Sequence, residues 1–245
     1  MDWALNKAGV APADPKSHTT RPIVTGASVL GIKYNGGVML AADTMLSYGS
    51  MAKTMNVSRL VEVDSTLIGA SGEYSDFQAI QEMLEAKCLE FKTGLMGERD
   101  ERQSMTARSM WNYLRVIMYH RRNKMNPLWN NVLVAGKDSA GKFFLGAVDR
   151  LGTTVEEDML ASGFGAYMAI PLLREKWRPD MDEGEARALL EDCMKVLYYR
   201  DCRAASRIQL AKVSEEGVLI SEPYELETDW SGCTCLPLET PLART

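Results

Sequence analysis

Histidine and cysteine are scarce: 245 residues carry two of the first and five of the second. His18 lies in an irregular N-terminal stretch and His120 among arginines, and neither has a nucleophile beside it in sequence to form a catalytic pair. Cys88, Cys193, Cys202, Cys233 and Cys235 are odd in number and scattered. That fits reduced thiols inside a cell better than a disulfide framework. Cys233 and Cys235 form a Cys-x-Cys pair, but a structural metal takes four ligands and no histidine lies nearby to supply the rest. No metal and no cofactor is expected.

Long apolar runs are missing as well. Nothing approaches the roughly 20 residues that span a bilayer, and residues 1–17 hold no apolar core of a secretory signal. Positive charge is not in excess, with 28 Lys and Arg against 33 Asp and Glu and a formal net charge of −5. That argues against a nucleic-acid surface, so Arg121, Arg122 and Lys124 read as a solvated face or a protein contact. No phosphate loop, metal cluster or catalytic triad is present. What remains is an ordinary globular balance, 46% hydrophobic and 25% charged, enough for one large domain with short appendages.

Residues 1–22 contain Pro12, Pro15 and Pro22 without periodicity and read as a leader or N-terminal arm. The stretch from Ile23 to Tyr34 is small and β-branched, and Asn35-Gly36 predicts a two-residue hairpin into a buried strand over Val38–Asp43. A second short pair is expected at Arg59–Val63 and Thr66–Ser71. Phe77, Ile80, Leu84, Cys88 and Phe91 then recur at helical spacing. A second helix is expected from Ser104, as N-cap, to about Lys124, with Ala107, Met110, Leu114 and Ile117 as its apolar stripe. Strands follow at Asn131–Lys137 and Lys142–Asp149, then a helix from Gly165 to Trp177. A further helix starts near Asp182, with Glu185 placed for a capping box. The last strands are Ser206–Val213 and Val218–Ser221.

Strands joined by tight hairpins imply antiparallel sheets. The fold class predicted is therefore α+β: two mainly antiparallel sheets face to face, with a helix pair on each outer face. The domain spans 23–222. Residues 223–245 form a C-terminal tail that, following the last strand, is expected to add nothing to the core and to be removable after Pro223.

Four segments in order carry a resemblance: Gly26-Ala27-Ser28 with Gly37-Val38-Met39-Leu40-Ala41-Ala42-Asp43, then Gly69-Ala70-Ser71-Gly72, Gly163-Phe164-Gly165, and Tyr199-Arg200-Asp201. Together they resemble proteasome beta subunits, which have the N-terminal-nucleophile hydrolase fold. The stretch Tyr119–Asn130, with Ser47-Tyr48-Gly49-Ser50 and Pro171–Glu175, resembles a non-catalytic member. The resemblance implies a four-layer α-β-β-α sandwich. It also implies partners: other beta subunits in the same and the opposing ring, and alpha-ring subunits, in the cytoplasm and nucleus, serving ubiquitin-dependent degradation.

Catalytic members attack with an N-terminal threonine whose own amine is the base. By resemblance that position falls on Ala27, which has no hydroxyl. The family lysine falls on Arg59, which keeps the charge but does not titrate. One family serine falls on Phe164 and another on Ala204, while the aspartates remain as Asp43 and Asp201. Ser28 is one residue along the strand and faces away from Ala27, while Thr25 shares its face but lies two residues off. The site is thus expected to be degenerate and the chain inactive. The alternative is an active amidohydrolase using Thr19, Thr20 or Ser28 after processing. Because Ala27 cannot cut at Gly26, any leader would be trimmed by an active neighbour; the resemblance places the mature start just before Thr19-Thr20.

Overall fold

The computed structural model describes residues 21–93 and 104–231. The leader before residue 21, the Cys233–Cys235 pair and the tail beyond 231 lie outside the described residues. The elements are β1 Val24–Gly26, β2 Val29–Tyr34, β3 Gly37–Asp43, β4 Leu46–Tyr48, β5 Met51–Thr54, β6 Leu60–Val63 and β7 Thr66–Glu73. Then come α1 Tyr74–Lys92, α2 Ala107–Asn123, β8 Asn130–Lys137, β9 Phe143–Val148, β10 Thr154–Glu156, β11 Met159–Ala161, α3 Gly165–Lys176 and α4 Glu183–Arg200. The last strands are β12 Arg207–Ser214, β13 Gly217–Ile220 and β14 Tyr224–Glu225.

One sheet runs β10-β9-β8-β7-β1-β4-β5, with β6 also on β7; the other runs β11-β2-β3-β12-β13, with β14 also on β12. Every described pairing is antiparallel. The strands alternate as a doubly covered sheet requires. In β3, Val38, Leu40 and Ala42 face the space between the sheets with Leu60, Leu67, Leu133 and Leu145. Met39 and Ala41 face α3 and α4, against Leu173, Leu190 and Met194. On the other outer face, α1 and α2 press Ile80, Leu84, Met110 and Leu114 onto Ile68, Val132 and Val134. The result is the α+β four-layer sandwich.

Local chemistry sets the boundaries. Gly36 takes φ +111° in the β2–β3 turn, where a side chain would be strained. Asp182 and Glu185 make the reciprocal capping box at the start of α4, at 2.8 and 3.3 Å. The N-cap of α2 is Thr106 rather than Ser104, its hydroxyl accepting from the Ser109 N–H at 3.2 Å. Met118, not Ile117, is the fully buried residue of that helix's last turns.

Three further findings depart from the expected pattern. Residues 23–34 are not one strand: β1 belongs to one sheet and β2 to the other, and the chain crosses at Ala27-Ser28. Four short strands, β4, β5, β10 and β11, carried no usable periodicity; β5 is exposed along its whole length. And the tail does add to the core. Tyr224 and Glu225 pair with Ile208 and Arg207, and Leu226 is buried among the residues that join α4 to the sheet. Sequence periodicity could not find this, because a two-residue strand has no period.

Candidate functional site

Ala27 sits at the crossover, half-buried, with β1 ending before it and β2 beginning two residues later. The side chain that organises its surroundings is Arg59, 1% exposed just before β6. Nη2 donates to Asp43 Oδ1 and to the Ser28 carbonyl (3.0 Å); Nη1 donates to the carbonyls of Ala27 (2.9 Å) and Ala70 (3.2 Å). Nε donates to the Asp43 carbonyl at 3.0 Å. A guanidinium has five N–H donors, and all are used. One side chain thus ties together the crossover, the end of β3 and β7.

Asp43 is 1% exposed. Its second carboxylate oxygen accepts from the Ala205 N–H at 3.1 Å. Burial pushes the carboxyl above its ordinary value; the Arg59 charge and the Ala205 N–H oppose that push, and Asp201 adds to it. Asp201 caps α4 and accepts from the Arg203 N–H at 2.9 Å, and its carbonyl accepts from the Ala204 N–H at 3.1 Å. Asp201 and Ala204 therefore shape the turn that delivers Ala205 to Asp43.

Ser28 is not free to act. Its hydroxyl accepts from the Gly165 N–H at 2.8 Å at the start of α3. Residues 27 and 28 lie outside any strand, so strand alternation does not turn Ser28 away from Ala27; its hydroxyl is instead engaged by α3. Phe164 stands apart. Its half-exposed ring lines an open groove of about 570 Å³ with Leu133, Val148, Leu151 and Tyr167. Ala27, Asp43, Arg59 and Asp201 do not line that groove.

Gly26 has a packing role that the motif did not suggest, and Glu73 was not singled out by the sequence. An added Cβ on Gly26 would meet Arg59 Cδ at 2.3 Å, so the glycine is what lets Arg59 lie under the crossover. Glu73, at the end of β7, accepts from the backbone N–H groups of Ile23 and Val24. Its only sequence signal is an acidic residue where a Ser, Thr or Asp would cap α1 better.

β1 lies between β4 and β7, with Thr25 opposite Ser47 on one side and Glu73 on the other. An extended peptide that docked there by strand addition would need those same edges. Two of the described thiols are buried and held protonated: burial pushes Cys88 up to about 11 and Cys193 up to about 12, while Cys202 is exposed. Among the described residues no three His, Cys, Asp or Glu are grouped to hold a metal, and no helix is long and apolar enough to cross a membrane.

Comparison with known proteins agrees with this geometry. The family model described as proteasome subunit matches residues 23–213. Proteasome subunit beta type-4 of Xenopus laevis is 43% identical over 221 residues, covering 89% of each chain. The beta type-4 subunit of Dictyostelium discoideum is 42% identical over 87% of this chain and 81% of its own. Proteasome subunit beta type-7 of Saccharomyces cerevisiae is 41% identical over 89% of this chain and 84% of its own.

Proposed function

This chain belongs to the proteasome-subunit family, and from that premise we propose that it is a non-catalytic beta subunit of the 20S core particle, of the beta type-4 kind. It holds its place in the beta ring, keeps active neighbours in register and walls the degradation chamber. Its partners are beta subunits of its own and the opposing ring and subunits of the alpha ring, and it works in cytoplasm and nucleus in ubiquitin-dependent degradation. No nucleic acid or membrane is a partner in this reading.

The observation that carries the lack of activity is at Ala27 and Arg59. A methyl group stands where a hydroxyl would attack, and the cation below it has no N–H to spare. Upstream of Ala27, β1 is paired on both sides, with β4 and with β7. The rival reading, an amidohydrolase using Thr19, Thr20 or Ser28, is weakened by the engagement of Ser28 with α3.

The decisive experiment labels the purified particle with a threonine-directed covalent inhibitor and reads each subunit by intact mass. No adduct on this chain is expected, while active neighbours are labelled. A stoichiometric adduct here would falsify the reading, as would a chain that co-purifies with no ring-sized particle.

A further inference from the structure

Glu73 occupies the N-cap position of α1, yet its side chain makes no cap there. The carboxylate reaches instead to the chain entering β1. It accepts from the Ile23 N–H, and its two oxygens accept from the Val24 N–H at 3.0 and 3.3 Å. Ser75 Oγ donates to it at 3.0 Å. The backbone around it is pinned: Glu73 N–H donates to the Trp129 carbonyl at 3.0 Å, and Asn130 Nδ2 donates to the Glu73 carbonyl at 2.8 Å. Glu73 itself is buried, whereas Arg21, Pro22 and the Ile23 side chain are exposed, so what changes at Ile23 is the hold on its backbone. Bonds from N–H groups to a carboxylate are charge-assisted and stronger than neutral ones.

An endopeptidase binds its substrate extended, with the backbone groups on both sides of the scissile bond available for pairing. From Val24 to Gly26 those groups face β4 and β7. Glu73 takes the N–H of Ile23, one residue earlier. Ile23 is thus the first described residue whose backbone is held.

We propose that Glu73 sets the limit to which the N-terminal segment is removed by proteolysis, so that hydrolysis stops upstream of Ile23. The proposal rests on the subunit reading above, together with the expectation from the sequence that an active neighbour trims the leader. Each cut consumes one water and leaves a carboxylate on the released peptide and an amine on the retained chain. The Thr19-Thr20 start lies on the permitted side of this limit.

The test uses thermolysin, which cuts before large apolar residues, on the full chain, with products read by intact mass and folding checked by thermal melting. The wild type resists cutting at Pro22–Ile23 and Ile23–Val24. Glu73→Ala is cut there at least tenfold faster, and Glu73→Gln, which keeps one acceptor oxygen, falls between. Equal rates for folded wild-type and Glu73→Ala chains overturn the proposal. Should the alanine variant not fold, equal rates for Glu73→Gln and wild type overturn it. In assembled particles, the Glu73→Gln chain begins further downstream than the wild type, and a wild-type start beyond Ile23 also sinks the proposal. Loss of the wild-type chain from the particle would sink the subunit reading instead, while the thermolysin rates would still decide the role of Glu73.

Discussion

Arg59 and Asp43 form an ion pair in which both side chains are 1% exposed. Taking two charges out of water is costly, and their attraction offsets the cost only when the remaining donors and acceptors are satisfied. Here they are: Arg59 places its other N–H groups on backbone carbonyls, and Asp43 takes the Ala205 N–H. The pair stitches the crossover at Ala27 to β3, β7 and the turn after α4. Residues that look like remnants of a catalytic centre therefore have a mechanical role.

Removing one partner leaves the other charge buried and alone. Arg59→Ala is expected to destabilise the chain by about 3–5 kcal/mol, lowering the melting temperature by roughly 10 °C for a domain of this size. Calorimetry of the chain measures this. A shift within about 2 °C would mean that the network contributes little.

Gly26→Ala should fail for a related reason. The new methyl group meets the middle of a side chain whose head is held at every donor, so Arg59 cannot swing away without losing bonds. The expected effect is reduced yield of folded chain and a lower melting temperature, relieved in the double variant with Arg59→Ala. If the double variant is no better than Gly26→Ala alone, the clash is not the cause.

Ala27→Thr alone should create no peptidase. The restored hydroxyl would still face a cation with no N–H to give, and Phe164 and Ala204 would still stand where the resemblance implies hydroxyls. Turnover of fluorogenic peptides by the variant, above the rate of the wild-type particle, would refute this.

The described part of the tail packs back onto its own domain. Leu226 is buried, Tyr224 Oη donates to Glu191 at 2.6 Å, and the Trp230 ring meets Tyr199 edge-on with centroids 4.9 Å apart. Leu226→Ala should cost about 2–5 kcal/mol, and truncation after Pro223 should impair folding. Thermal melting of the truncated chain checks this: a melting temperature equal to that of the wild type would mean that the tail adds nothing to the core.

Burial holds the Cys88 and Cys193 thiols protonated well above their ordinary value, near 11 and 12. At pH 8 alkylation should be slow at both and faster at the exposed Cys202. Because the unfolded thiols ionise near 9, both groups favour the folded state below that pH. The contribution is lost as pH rises through 11 to 12. Mass spectrometry after a timed pulse of iodoacetamide ranks the three sites; equal labelling in the folded chain would contradict the burial.

The hairpin at Asn35-Gly36, the apolar stripes of the helices and the capping box at Asp182 were legible in the sequence. Each depends on residues a few positions apart, and local geometry decides it. That Ala27 carries no hydroxyl is plain from the sequence, but its reading as the nucleophile position came from the resemblance and not from any local pattern. The break between β1 and β2 was not: the residues on both sides favour strand, and only the competition of two sheets for one chain places the crossing at Ala27-Ser28. Nor was the role of Arg59, whose five acceptors come from segments up to 32 residues away. Glu73 reaching 50 residues back to Ile23, and Leu226 closing over α4, are likewise facts of tertiary packing. Long-range partners are chosen by which buried groups would otherwise lack a hydrogen bond or a neighbour, and no local pattern encodes that.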